Sequence, residues 1–70
     1  MSASLERIAS DLADETVKIM KQSGEDRLYY DVAQVLGAAS QTLEEAFLTE
    51  MRIRLAGEKA WAFLESKKQT

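Results

Sequence analysis

Two groups of neighbouring carboxylates come closest to a metal-binding pattern in this sequence. Carboxylate oxygens are ligands for Mg²⁺ and Ca²⁺, but a calcium-binding loop needs an EF-hand type of spacing that does not occur here. Lys18 follows Asp14 by four residues, which is the usual spacing of a surface ion pair on a helix. We therefore expect solvated helix faces, with no metal and no cofactor. The carboxylates concerned are Asp11, Asp14, Glu15, Glu44 and Glu45.

The side chains that most often perform acid-base and nucleophilic chemistry are missing. The sequence has no His and no Cys, so only carboxylates, lysines and tyrosines remain for such roles. None of them lies beside a recognisable nucleophile or a glycine-rich phosphate loop. The same absence excludes disulfides and thiolate zinc sites. We predict that the protein is not an enzyme.

Residues 32–43 resemble a helix-turn-helix motif. A small residue is followed four positions later by Gly37, and an apolar residue could then seat a second helix. Such a motif in residues 32–45 would make the protein a small DNA-binding transcriptional regulator. However, no Lys or Arg occurs between Arg27 and Arg52 to attract phosphates, so helix packing is the preferred interpretation and nucleic acid is not the expected partner. The residues that would point towards DNA are Ser40, Gln41, Glu44 and Glu45.

Glu50 and Arg54 are charged residues on the apolar stripe of a predicted helix. Charges on such a stripe need partners if the stripe is buried. They could pair with each other, or cross to a symmetry-related chain and set the register of an interface. The alternative is that this part of the helix faces water. Replacing Arg54 by Leu would distinguish these hypotheses.

The C-terminal third combines small residues with large apolar ones. Small side chains allow helices to approach closely, and large ones beside them provide anchors for a partner. The alternative is that these residues cover the protein's own core, which requires the chain to fold back near Gly37. The predicted partner interface consists of Leu43, Phe47, Glu50, Ile53, Arg54, Gly57, Ala60, Trp61 and Leu64.

Helices are needed to position all of these residues. The sequence lacks Pro, is rich in Ala, Leu, Glu and Lys, and shows no sustained two-residue alternation. The first helix is predicted over residues 4–22, with Gly24 in the left-handed conformation just after it. Residues 23–26 form a short connector that would return the chain antiparallel. We predict an all-α fold, built as an antiparallel helical hairpin in one domain of residues 1–70.

The second arm of the hairpin has two possible forms. Its apolar positions keep a helical phase from residue 26 to 66, which favours one long helix. Alternatively, Gly37 ends a helix and Thr42 with Glu45 forms a capping box for the next, which gives a break at residues 37–41 and three helices. A continuous helix would extend far beyond the first one, so its distal half would need another chain.

Size and charge set the remaining expectations. A single core in 70 residues yields only about 3–5 kcal/mol, so chains of this size often associate. The net charge of -3 disfavours polyanionic partners, and no apolar run is long enough for a membrane span. Glu6 and Arg7 stand where a signal peptide would have its apolar stretch, so we expect a cytoplasmic protein. We predict a homodimeric helical bundle that acts as a regulatory or adaptor module, or else as a structural subunit of a larger assembly.

Overall fold

The computed structural model describes residues 3–68 and contains three helices and no strand within that range. The helices are α1 (Ala3–Ser23), α2 (Leu28–Ala39) and α3 (Gln41–Lys68). The prediction of an all-α fold is therefore confirmed. At 28 residues α3 is about 42 Å long, close to the longest dimension of the molecule, 47 Å.

The first two helices are joined by a glycine turn. Gly24 has a φ of 76°, in the left-handed region where a side chain would be strained, as the sequence predicts. Its N–H donates a hydrogen bond of 2.8 Å to the carbonyl of Met20 and so satisfies one of the last carbonyls of α1. Because only residues 24–27 separate the helices, α2 starts close to the end of α1.

A single extended residue, Ser40, separates α2 from α3. Its φ of -161° and ψ of 111° interrupt the helical path, and its N–H donates to the carbonyl of Leu36 at 2.7 Å. Its Oγ accepts a hydrogen bond from the N–H of Leu43 at 3.2 Å, which is the role of an N-cap. Ser40 thus ends one helix and caps the next.

This break rules out the interpretation of residues 26–66 as one long helix and confirms the alternative, in which a break within residues 37–41 gives three helices. It differs from the predicted capping box, because Thr42 lies inside α3 and Gly37 lies inside α2. A Cβ at Gly37 would lie 2.8 Å from Glu44 Oε1, the end of a flexible side chain that could move aside. The helical phase of the apolar positions continues across the break because α2 and α3, which fold against each other, both turn their apolar side chains inwards.

The three helices run alongside one another for most of the length of α1 and α2. Lys21, near the end of α1, pairs with Glu58 of α3 at 3.1 Å, and Leu5 lies beside the beginning of α3, so α1 is parallel to α3. Tyr29, at the start of α2, lies beside Leu55, so α2 returns antiparallel to α3. As a result, α3 contacts both other helices and extends beyond them at its C-terminal end.

The core is small. Phe47 and Met51 are its only large, fully buried side chains among the described residues. Buried Ala13 and Ala33 pack with them, and half-buried apolar side chains of all three helices complete the cluster. Ala9 is buried as well. Thr16 is also buried, and its hydroxyl donates to the Leu12 carbonyl at 2.7 Å. Full burial of Phe47 and Met51 contributes about 3–6 kcal/mol, to which the half-buried apolar side chains packed against them add.

Candidate interaction surface on the third helix

An apolar surface of α3 remains exposed to solvent. Ile53 is 60% exposed and Trp61 is 65% exposed, although both are large apolar residues. The spacing of three, four and seven residues places the members of this surface on one side of the helix. We call it the α3 face, and it consists of Ile53, Gly57, Ala60, Trp61 and Leu64.

The α3 face is exposed from Ala60 onwards because the other helices end too early to cover it. Every residue from 58 to 68 is exposed, over about 16 Å of helix. Near this point α1 is joined to α3 by the ion pair between Lys21 and Glu58. We refer to residues 58–68 as the α3 arm.

Arg54 ties α3 to α1 in the middle of the molecule. Its Nε donates to Asp14 Oδ1 at 2.8 Å, and its Nη1 donates to Glu50 Oε1 at 2.7 Å. Its Nη2 donates to Ser10 Oγ at 2.8 Å and to the Ser10 carbonyl at 3.3 Å. The hydrogen bonds with Glu50 and then Asp14 raise the pKa of Arg54 above its ordinary value, so the guanidinium is firmly charged.

The charged pair on the apolar stripe is therefore satisfied within the chain. Glu50 and Arg54 contact each other, and Arg54 holds two α1 residues that the sequence analysis did not connect with it. The predicted pair of Asp14 with Lys18 is not formed, because Lys18 pairs with Glu15 at 3.8 Å. The sequence contained one indication of this contact: Ser10 and Asp14 are four residues apart, which places both on one side of α1.

Two other members of the predicted interface are turned inwards. Phe47 is fully buried and packs with Met51, Ala13 and Ala33, and Leu43 is half-buried. Phe47 is therefore part of the chain's own core rather than of its exposed surface, in contrast to its sequence-based assignment to the interface. The physical reason is that α1 and α2 pack against the side of α3 that carries Phe47.

A groove between α1 and the N-terminal half of α3 was not foreseen from the sequence. It has a volume of about 470 Å³ and an apolar floor that includes Ala9 and Ala46. Exposed carboxylates of Glu6 and Glu45 stand at its rim. We call it the α1–α3 groove, and its lining residues are Leu5, Glu6, Ala9, Thr42, Glu45, Ala46, Thr49 and Glu50.

The segment that resembles a helix-turn-helix has a different geometry. In that motif two helices cross at about 90–120° after a turn of three or four residues. Here α2 and α3 are joined through Ser40 alone, and α2 returns along α3 as far as Leu55. Residues 32–45 thus form the closed end of a packed helix pair.

Within residues 3–68, His, Cys, Asp and Glu form no group of three or more arranged to hold a metal ion. None of the helices in that range is sufficiently long and apolar for a membrane span. Comparison with protein-family models, with curated proteins and with solved structures finds no match to this chain.

Proposed function

We propose that the protein is a non-enzymatic helical interaction module, a small regulatory or adaptor protein that acts as a homodimer through the α3 face. The main observation behind the proposal is that this face is exposed on α3, which extends beyond the ends of α1 and α2. Trp61, at 65% exposed, leaves on the order of 150 Å² of ring surface in water. With Ile53 and Leu64 added, the patch is in the size range of interaction sites.

The total surface of the chain supports association. A compact monomer of 7.8 kDa is expected to expose about 4,400 Å². This chain exposes 5233 Å². The excess of roughly 850 Å² is close to the area of about 800 Å² that each partner contributes to a standard interface. Burial of the α3 face against a second chain would remove this excess.

Other exposed apolar residues are more scattered than those of α3. Ile8 and Ile19 on α1 are exposed, but they lie 11 residues apart, about 16 Å along the helix. Val35 on α2 is 71% exposed and has no comparably exposed large apolar residue beside it on that helix. Single exposed apolar residues are normal on protein surfaces. The α3 face is therefore the surface that we assign to partner binding.

The ionisable groups at the centre of the molecule support a structural role. Glu50 holds Arg54 within α3, and Arg54 links α3 to Ser10 and Asp14 of α1, so the α3 face stands on a rigid support. We include a cytoplasmic location in the proposal, to be tested by cell fractionation.

The test is a substitution that places a charge on the α3 face without touching the core. Ile53→Asp changes a 60% exposed residue, so the monomer should keep its helix content by circular dichroism. We expect sedimentation velocity to show a dimer for the unmodified protein and at least about a tenfold weaker dimer for Ile53→Asp, since a charge would be desolvated at the interface.

Val35→Asp is the matched control, because it places the same charge at an exposed apolar position on a different helix. It should leave the dimer intact. A monomeric, cooperatively melting wild-type chain at all accessible concentrations would contradict the proposed function. Equal weakening by Val35→Asp would contradict the assignment to α3.

A further inference from the structure

We propose that the occupant of the α1–α3 groove is the α3 arm of a second copy of this chain, with the two α3 helices antiparallel about a two-fold axis near residues 56 and 57. This inference rests on the proposed homodimer and specifies its geometry. The groove and the arm are both accessible to solvent in the single chain, and they complement each other in shape and charge.

The positions of the two features along α3 match an antiparallel pairing. The groove includes α3 residues from Thr42 to Glu50, with Thr49 about 11 Å before the proposed axis. Leu64 in the arm lies about 11 Å after it. A two-fold axis between residues 56 and 57 therefore places Leu64 of each chain at the level of Thr49 of the other. The same two-fold rotation places the α3 arm of each chain in the groove of the other. The contact is therefore isologous and closes as a dimer.

Side-chain sizes alternate as this register requires. With the axis between residues 56 and 57, Ile53 of one chain lies opposite Ala60 of the other. At the axis itself Ala56 faces Gly57, and a Cβ added at Gly57 would meet no atom of its own chain within 4 Å. Small residues at the crossing allow close approach of the helices, and large residues are opposed by small ones on both sides of it.

Charges favour the antiparallel direction over the parallel one. The groove has the carboxylates of Glu6 and Glu45 at its rim, and the arm ends in Lys67 and Lys68. Within the chain, Lys68 contacts Glu65 at 3.4 Å in an exposed ion pair, and Lys67 lies over the Phe63 ring at 5.4 Å. Such exposed contacts are weak and exchange readily.

An antiparallel dimer brings these lysines to the acidic groove. A parallel dimer would place lysines opposite lysines and Glu45 opposite Glu45, which costs energy by like-charge repulsion. Apolar size matching and charge matching thus point independently to the same arrangement.

Cysteine cross-linking tests the direction directly, because the chain has no cysteine of its own. We choose Ala46→Cys in the groove and Lys67→Cys in the arm, which the proposed register places opposite each other and which leave Glu45 and Lys68 intact. Two Lys67→Cys chains would hold their thiols about 30 Å apart, far beyond the Cα separation of about 4.4–6.8 Å that a disulfide needs. A mixture of the two variants should form a disulfide-linked heterodimer at least about ten times more abundant than the linked Lys67→Cys homodimer.

A charge exchange provides the second measurement. Glu45→Lys should weaken the dimer about threefold to tenfold at low salt, and Lys68→Glu should do the same. The double variant should restore most of the affinity. Glu25→Lys makes the same change in net charge at an exposed position away from the groove and should have no effect.

The outcomes separate this inference from the proposed function. A dimer whose Lys67→Cys chains link to themselves is parallel, and a dimer in which the mixture fails to link does not use the groove. Either result overturns the inference while the interaction module stands. A chain that stays monomeric overturns both. Efficient linking in the mixture together with charge rescue supports the antiparallel arm-in-groove dimer.

Discussion

Replacing Arg54 by Met tests whether the cluster around its guanidinium stabilises the chain. Methionine keeps an unbranched stem of similar packing volume, so the change removes the charge and the hydrogen bonds rather than the apolar contacts. The guanidinium contacts Asp14, Glu50 and Ser10, and the Arg54 side chain is 21% exposed. We therefore expect a loss in the free energy of unfolding.

The size of the loss follows from the exposure of each contact. The pair with Glu50 spans one turn of the same helix and contributes about 0.3–0.5 kcal/mol. The pair with Asp14, whose side chain is 68% exposed, contributes no more than about 1 kcal/mol. The hydrogen bonds to Ser10 add about 0.5–1.5 kcal/mol, because they join two helices at a half-buried position. The total is about 1–3 kcal/mol, a large part of the stability of a domain this small.

Thermal and urea unfolding followed by circular dichroism measure this loss. At equal protein concentration, Arg54→Met should lower the Tm by roughly 5–15 °C. Arg52→Met is the matched control, since Arg52 is exposed two residues away on the same helix. In high salt the difference between Arg54→Met and the wild type should shrink as the ion pairs are screened. If Arg54→Met and Arg52→Met unfold at the same temperature as the wild type, the cluster does not stabilise the fold.

Two further substitutions probe the helix junction and the tyrosine pair. Ser40→Ala should lower the free energy of unfolding by about 1 kcal/mol, because it removes the acceptor for the Leu43 N–H. A loss below about 0.3 kcal/mol in urea unfolding would show that Ser40 is not an effective cap. The pKa of Tyr29 is raised above its ordinary value, first by a side-chain hydrogen bond with Tyr30 and then by burial. Tyr29 therefore stabilises the folded state below about pH 10, and this contribution is lost as the pH rises through the folded-state pKa of Tyr29. Titration of the tyrosinate absorbance should give a higher midpoint for Tyr29 in the wild type than in Tyr30→Phe, and equal midpoints would contradict this cause.

The sequence determined the type of fold through local preferences. Strong helix formers, the absence of proline and the glycine at position 24 are properties of short stretches, so they fix helices and the turn after α1 without reference to the rest of the chain. The apolar positions Ile53, Trp61 and Leu64 could be assigned to one side of a helix for the same reason, because helical spacing depends only on residue number.

Only the tertiary structure decided which parts of an apolar stripe are core and which are surface. Phe47 and Ile53 belong to neighbouring turns of α3, yet one is fully buried and the other is 60% exposed. The difference arises because the two side chains point about 120° apart around α3, and α1 and α2 pack on the side of Phe47. The contact of Arg54 with Asp14 likewise joins residues 40 positions apart. Periodicity gives the direction in which a side chain points, whereas burial depends on whether another helix lies there.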